Sequence, residues 1–403
     1  MLIPKKGGIV NLFEKCYNFT RAEEAMAMGF YPYFTPIQEV RGNKVRVDGK
    51  EMIMVGSNNY LGLLDHPKVM KAAQEAVDKY GVATCGSRFL NGTLDIHVEL
   101  EERLAKFMNK EAALTFSTGF QTNQGVISTL VGRGDAVITD KMVHASIVDA
   151  CRLSYGEVHK FKHNNMNDLE RILSSLDSNM GKMIAVDGVF SMEGDLTNLP
   201  EVIKLAKKYE TKLMVDDAHG VGVMGKHGRG TAEHFGVEED VDLIMGTFSK
   251  SFAALGGFIA GENKVISYIK HHARALIFSA SITPASVATV LATLDIIESE
   301  PERREKLWQI TRKMISGFQE MGYKTGPTET PIIPAIIGND ELAFMLWKLL
   351  REDGIFTNPV IYPAVPKDQS LIRTSYSATH TDEELDYVLS SFEKCGKILG
   401  IIK

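Results

Sequence analysis

The sequence predicts an α/β protein: a mostly parallel seven-stranded sheet flanked by helices, followed by a smaller α+β C-terminal domain. Three observations carry this. Short apolar runs recur at Ala112 to Phe116, Asp135 to Thr139, Glu157 to Phe161, Met183 to Val186, Leu213 to Val215, Leu243 to Met245 and Gly257 to Ala260, with helical stretches between most of them. Such alternation is the mark of a parallel sheet covered on both faces. Polar residues stand directly after several of these runs, at the carboxyl ends of strands where ligands sit in such sheets. A long helical stretch from about Pro284 to Met321, broken by the polar segment Glu298 to Arg304, then leads into a second set of strands and helices. The expected divisions are an N-terminal arm and hairpin over 1–56, a large domain over 57–283 and a small domain over 284–403.

In chain order, Asn11 to Gly29 reads as an amphipathic helix, with Leu12, Phe13, Tyr17 and Phe19 among charges. Tyr31-Pro32-Tyr33-Phe34-Thr35-Pro36 ends it, since proline removes a donor and restrains the residue before it. This aromatic arm either wraps a partner subunit or packs on its own core. Val40 to Val55 reads as a hairpin turning at Asp48-Gly49. Pro67 opens a helix running to Tyr80, and the glycine-punctuated loop from Gly86 to Thr93 precedes a helix from about His97 that carries Leu100, Leu104, Phe107 and Met108 on one face. In the C-terminal part, Ile332 to Ile337, Phe356 to Ile361 and Leu371 to Tyr376 read as strands, and Glu341 to Glu352 and Asp382 to Leu399 as helices.

Composition narrows the function. The 403 residues are 44% hydrophobic and 24% charged, an ordinary globular balance. A formal net charge of -6 argues against nucleic acid as the main partner. No apolar run reaches the length of a membrane span, and Met1 to Gly8 has lysines without a long apolar core after them, so no signal peptide is expected. The four cysteines, Cys16, Cys85, Cys151 and Cys395, form no C-x-x-C and sit near no histidine cluster. They are expected to be reduced thiols in a cytoplasmic protein, with no metal site.

Two strand ends point to the chemistry. Val215-Asp216-Asp217-Ala218-His219 and Gly246-Thr247-Phe248-Ser249-Lys250 place a carboxylate and an amine at neighbouring strand ends. Pyridoxal phosphate requires that pair, an amine for a Schiff base and a carboxylate to keep the pyridine nitrogen protonated. The flanking Phe248, Phe252, Ala253 and Ala254 suggest a buried lysine, and burial favours its neutral, nucleophilic form. Thr247 and Ser249 then either donate to the phosphate or hold the lysine. Ser117-Thr118-Gly119-Phe120 opens a helix whose free N–H groups suit an anion. His144, just after another strand, is either a capping residue or a ring that stacks on a planar cofactor. Arg373, inside the apolar strand Leu371 to Tyr376, either forms a structural ion pair or receives a substrate carboxylate. Gly220-Val221-Gly222-Val223-Met224-Gly225 matches the dinucleotide pattern G-x-G-x-x-G, but Lys226-His227-Gly228-Arg229-Gly230 after it is too rich in glycine for the helix that pattern needs. A nicotinamide enzyme is therefore disfavoured.

Together these motifs resemble the α-oxoamine synthases, fold-type I pyridoxal-phosphate transferases that condense an amino acid with an acyl-CoA. The resemblance runs from about Tyr31 to His380. Tyr31-Pro32-Tyr33-Phe34, the loop Gly86 to His97 and Thr357-Asn358-Pro359-Val360 make it most similar to the soluble bacterial branch acting on L-serine and a long-chain acyl-CoA. Tyr362-Pro363 is shared with the branch that uses glycine and acetyl-CoA; alanine with a pimeloyl thioester is the third alternative. The resemblance implies that Lys250 carries the cofactor, Asp216 pairs with its pyridine nitrogen, His144 stacks on its ring and His219 meets its ring hydroxyl. It implies that Gly119 and Phe120 offer N–H groups to the phosphate, with Thr247 and Ser249 beside them, and that Ser191 contacts a cofactor oxygen. It further implies a homodimer with shared sites, in which Ser279 or Ser281 reaches the partner subunit's phosphate, while Asn58 and Arg373 contact the amino-acid substrate. An inactive regulatory subunit of the same fold is the reading outside catalysis, and the presence of Lys250 speaks against it. Asp217 departs from the glutamate of many relatives.

Overall fold

The computed structural model describes residues 11–403, so the Met1 to Gly8 segment lies outside the described residues. Near the N-terminus, β1 (Glu39–Arg41), β2 (Lys44–Val47) and β3 (Lys50–Met54) form an antiparallel meander. The β2–β3 turn holds Asp48 at φ 50° and Gly49 at φ 75°. Asp and Gly there tolerate the left-handed backbone a two-residue hairpin requires.

The expected large sheet consists of β4 (Ala112–Phe116), β5 (Asp135–Asp140), β6 (Glu157–Phe161), β7 (Gly181–Asp187), β8 (Lys212–Asp216), β9 (Leu243–Thr247) and β10 (Gly257–Gly261). Its order is β4-β10-β9-β8-β7-β5-β6, parallel from β9 through β6, with β10 antiparallel to both neighbours. Alternate residues of β7 serve opposite faces: Ile184 and Val186 join one core, Met183 and Ala185 the other. This two-sided burial explains why these strands read as continuous apolar runs. Register brings the chemistry together, because Asp187 of β7 lies opposite Asp216 of β8, and Asp216 opposite Met245 of β9.

The C-terminal body contains β11 (Ile332–Ile336), β12 (Ile355–Phe356), β13 (Asn358–Val360) and β14 (Leu371–Ser375). β11, β14 and β13 form an antiparallel sheet, and helices Asp340–Glu352 and Asp382–Ile398 contribute Leu346, Leu350, Val388 and Phe392 to its core.

Four expectations need correction. The single helix from Asn11 to Gly29 is two short ones, Glu14–Tyr17 and Arg21–Ala27, that bury no residue. The break falls at Asn18 to Thr20, where the Thr20 hydroxyl donates to Glu24 2.6 Å away. The strand Phe356 to Ile361 splits at Thr357: β12 pairs with β3, whereas β13 lies at the edge of the other sheet, where Pro359 costs no ladder bond. Helix Pro284–Ser299 buries Val287, Val290, Leu294 and Ile297 in the large-sheet core, while Pro301–Glu320 places Ile310, Met314 and Phe318 in the C-terminal core. Leu307 of that second helix still lies in the large-sheet core, so packing changes over within the helix, between Leu307 and Ile310, later than 284. The hairpin of 1–56 is not a separate unit either, since β3 pairs with β12 and Val55 lies in the C-terminal core.

One buried ion pair fixes the loop before helix Asp95–Phe107. Arg88 grips Glu101 with two bonds of 2.7 and 3.0 Å, and Glu101 also accepts the Thr115 N–H at 2.9 Å. Arg88→Met strands the carboxylate and should lower unfolding free energy by about 3–5 kcal/mol, read by urea denaturation. Arg88→Met with Glu101→Leu should restore most of that loss, because the charge is gone.

Candidate active site

The carboxyl ends of β5, β7, β8 and β9 surround a cavity of about 270 Å³. Gly119, Phe120, His144, Ser191, Asp216, His219, Thr247, Ser249 and Lys250 line it, so nine of the residues singled out from sequence meet in one place. Asn58 and Arg373 stand beside it, and Ser279 and Ser281 lie outside.

Asp216 closes the β8 end. Its Oδ1 accepts the Ala218 N–H at 3.1 Å and its Oδ2 accepts Asn123 Nδ2 at 2.7 Å. The same Asn123 amide donates to Ser146 Oγ at 2.8 Å, and Ser146 Oγ lies 2.7 Å from His144 Nδ1. Because His144 Nδ1 also accepts the Ser146 N–H at 3.2 Å, the imidazole is held as the neutral tautomer with its proton on Nε2. Burial lowers the His144 pKa further, against the opposing charge of Asp216. His219 lies 2.7 Å from the Tyr60 hydroxyl, and burial with the charges of Lys250 and Arg373 drives its pKa well below normal. Burial raises the Tyr60 phenol to about 12.

Lys250 follows β9 through Thr247, Phe248 and Ser249. Thr247 is buried at the strand end and its hydroxyl donates to the Gly256 carbonyl at 3.0 Å, so that proton is committed within the chain; Ser249 Oγ lies 3.0 Å from Thr247 Oγ1. Burial brings Lys250 down to about 8, with Arg373 lowering it further and Asp216 and Asp187 opposing.

Helix Gly119–Leu130 begins at the cavity wall, capped by Thr118, whose hydroxyl accepts the Gln121 N–H at 3.1 Å. A Cβ on Gly119 would stand 2.7 Å from Thr247 Oγ1, so only glycine lets the helix N-terminus approach β9 this closely. Arg373 of β14 crosses from the C-terminal body. Its Nε donates to the Ser191 carbonyl at 2.7 Å and its Nη2 to Asn58 Oδ1 at 3.0 Å. Among the described residues no carboxylate lies within ion-pair distance of this buried guanidinium. That decides against the structural ion pair.

The remaining expectations resolve individually. Ser281 spends its hydroxyl on the carbonyls of Gly86 at 3.0 Å and Gly92 at 2.6 Å, whereas Ser279 Oγ only accepts from Gln121 Nε2 at 3.2 Å. The G-x-G-x-x-G segment forms turns, with Gly222 and Gly225 at φ 86° and 82°, and a Cβ on Gly220 would collide with the Asp217 carboxylate. Asp217 points away from the cavity, accepting the Thr231 N–H at 2.6 Å, and burial raises it to about 7. Asn123, Ser146, Asp187 and Tyr60 escaped the sequence reading. Asn123 had a faint signal, being four residues after Gly119 on the same helix face. Asp187 had none beyond ending a strand; its Oδ2 accepts the His144 N–H at 3.0 Å, and burial beside Asp216 pushes its pKa well above the carboxylate range.

The residues fit a planar, phosphorylated pyridinium. Asp216 is a buried carboxylate with no cationic hydrogen-bond partner among the described residues, and Asp187 Oδ1 and Asn123 Oδ1 are buried acceptors without partners around the same cavity. Lys250, its pKa lowered by burial, lines the same cavity as that carboxylate and the N-terminus of helix Gly119–Leu130.

A family model described as Aminotransferase class I and II matches residues 50–392. A serine palmitoyltransferase from Sphingobacterium spiritivorum is 53% identical over 375 residues, covering 93% of this chain and 94% of its own. An 8-amino-7-oxononanoate synthase from Thermoanaerobacter pseudethanolicus is 43% identical over 383 residues, covering 95% and 97%. A solved structure described as SPT with PLP internal aldimine superposes with a TM-score of 0.95 at 35% identity, covering 98% of this chain and 100% of that one.

The Lys250 value sets a pH test. The cofactor aldehyde reacts only with free amine, so its association rate with cofactor-free protein should rise with pH through about 8, not near the 10.5 of a solvated lysine. Asp216 stabilises the ammonium, so Asp216→Asn should move the inflection lower. Stopped-flow absorbance of added pyridoxal phosphate reads both.

Proposed function

The chain belongs to the class I and II aminotransferase family, in its α-oxoamine synthase division, and from that membership we propose that it is a serine palmitoyltransferase. The reaction is the decarboxylative condensation of L-serine with palmitoyl-CoA, giving 3-ketodihydrosphingosine, CoA and carbon dioxide. The observation that carries the amino-acid half is Arg373, a buried guanidinium with no carboxylate among the described residues and a bond to Asn58. The acyl half is supported by a groove of about 980 Å³ lined by Phe30, Tyr31, Phe344 and Ile361, which reaches Met192 beside Ser191.

Pyridoxal 5′-phosphate, when bound, supplies a carbonyl to which amines attach and a ring that accepts electrons from the α-carbon. Lys250 would hold it through its amine, and the same Nζ would take the α-proton of serine and later return one. Its depressed pKa suits both directions near neutrality. Asp216 keeps the pyridine nitrogen protonated, and Asn123 aims that carboxylate. His144, a neutral imidazole whose tautomer Ser146 sets, would wall the ring on one side. His219, kept neutral and fixed by Tyr60, would meet the ring hydroxyl, with the Ser191 side chain near the same edge. The N–H groups of Gly119 and Phe120 would take the phosphate, with Ser249 beside them. Arg373 and Asn58 orient the serine carboxylate, so the bond to be broken is fixed relative to the ring. In a homodimer with shared sites, Ser279 is the serine available to the partner subunit's phosphate, because Ser281 is committed to Gly86 and Gly92. Among the described residues no helix is long and apolar enough to cross a membrane, and a cytoplasmic location belongs to this reading.

Turnover with each amino acid and thioester tests it. L-serine with palmitoyl-CoA should exceed glycine with acetyl-CoA and L-alanine with pimeloyl-CoA; dominance of the alanine pair would assign the chain to the 8-amino-7-oxononanoate branch instead. Arg373→Ala should lower kcat/KM for serine by about 30- to 5,000-fold, the equivalent of about 2–5 kcal/mol, while cofactor absorbance persists.

A further inference from the structure

Beneath the cavity, outside the residues that line it, one imidazole is held between two buried carboxylates. His163 Nδ1 lies 3.1 Å from Asp140 Oδ1 and its Nε2 3.0 Å from Asp195 Oδ2. Its ring meets Phe190 edge-on, with centroids 4.5 Å apart. A neutral imidazole offers one donor and one acceptor, and an acceptor nitrogen facing a carboxylate at 3.0 Å repels it. Only the imidazolium donates to both. Burial alone would lower its pKa, but the hydrogen bonds and charges of Asp140 and Asp195 outweigh that and raise it to about 10.

The two carboxylates anchor different loops. Asp140 ends β5 and accepts the N–H groups of Met142 and Asn164, each at 2.8 Å, so it sets the start of the segment that delivers His144. Asp195 closes a tight loop in which Phe190 N–H donates to the Asp195 carbonyl at 3.0 Å and Gly194 N–H to the Phe190 carbonyl at 2.9 Å. That loop presents Ser191, whose carbonyl receives Arg373 Nε. Its Gly194 carbonyl accepts Thr330 Oγ1 at 2.9 Å and the Glu329 N–H at 3.2 Å, just ahead of β11. The loop is thus the joint at which the large sheet touches the body that carries Arg373.

We propose that His163 is a positioning residue for the reaction: by bridging Asp140 and Asp195 it locks the His144 and Ser191 loops to each other, and through the Ser191 carbonyl it sets Arg373 against the substrate carboxylate. The amino-acid half rests on the reading of Arg373 given above; the loop locking does not. His163 is not among the residues that line the cavity, so its removal acts through these loops and not on the proton transfers of Lys250.

His163→Gln tests this, since glutamine carries both its N–H donors on one nitrogen and cannot span two carboxylates that face separate nitrogens of the imidazolium. Using whichever amino acid the wild-type holoenzyme turns over, KM for that amino acid should rise roughly tenfold, with kcat at saturation changed less than about threefold. The dissociation constant of pyridoxal phosphate, measured by absorbance without turnover, should rise as well. Asp195→Ala, which removes one anchor and leaves His163 in place, should raise KM in the same way, and the double variant H163Q/D195A should raise it little beyond either single variant, because both act through one bridge. A lower melting temperature with wild-type KM and wild-type cofactor affinity in H163Q would overturn the proposal, as would rises in KM from H163Q and D195A that add in the double variant. A wild type that prefers alanine to serine would revise the substrate reading and leave this one standing.

Discussion

The structure depends on a carboxylate buried at the carboxyl end of β8 without a cation to pair with. An ionised Asp in that position is costly unless its oxygens are hydrogen-bonded. Asn123 and the Ala218 N–H supply those bonds. Neutral donors hold the charge in place without consuming it, and so leave it available to a protonated nitrogen. The neighbours follow from the same constraint. Lys250 is near enough for Asp216 to oppose its loss of charge, yet buried enough for the ammonium to be disfavoured, and the balance falls at about 8. His144 is coupled to Asp216 through a single amide and a single hydroxyl, so the histidine tautomer and the carboxylate orientation are set by one network.

Much of this was legible before any coordinates. The seven strands could be read because both faces of each central strand are buried, which writes apolar runs of the right length. Asp216 and Lys250 could be read because strand ends in a parallel sheet converge, so two distant polar residues after two apolar runs become neighbours. What escaped was the support: Asn123, Ser146, Asp187 and Tyr60 are ordinary polar residues on helices or strand ends, and their importance lies in partners far along the chain. Sequence spacing carries no information about which amide points at which carboxylate. The split of Phe356 to Ile361 escaped for a related reason. Its residues have strand propensity throughout, and only the pairing of β12 with β3 and β13 with β14 shows that they serve two sheets.

Arg373 shows how one residue can join two bodies and leave its charge unpaired. It sits in the middle strand of a small sheet yet spends its donors on Ser191 and Asn58, which lie outside that sheet. A guanidinium bonded only to neutral oxygens keeps its net charge, as the Asp216 carboxylate does with the opposite sign. The two uncompensated charges belong to different bodies, Asp216 lining the cavity and Arg373 standing beside it, so a bound group with a cation at one end and a carboxylate at the other would complement both at once. Orientation by charge of this kind costs no rearrangement during the reaction.

The glycine-rich segment after Asp216 illustrates why pattern strength and functional weight differ. Gly220, Gly222 and Gly225 match a dinucleotide fingerprint in spacing, but their backbone demands come from packing. Gly220 and Gly230 make room for the Asp217 carboxylate, and Gly222 for Ser251. Asp217 in turn accepts the Thr231 N–H, closing the turn back on the strand. The glycines thus let the chain fold tightly around a carboxylate that faces away from the cavity while its neighbour Asp216 faces in. Two adjacent aspartates point oppositely because successive side chains at a strand end alternate, and that alternation assigns one to chemistry and the other to the turn.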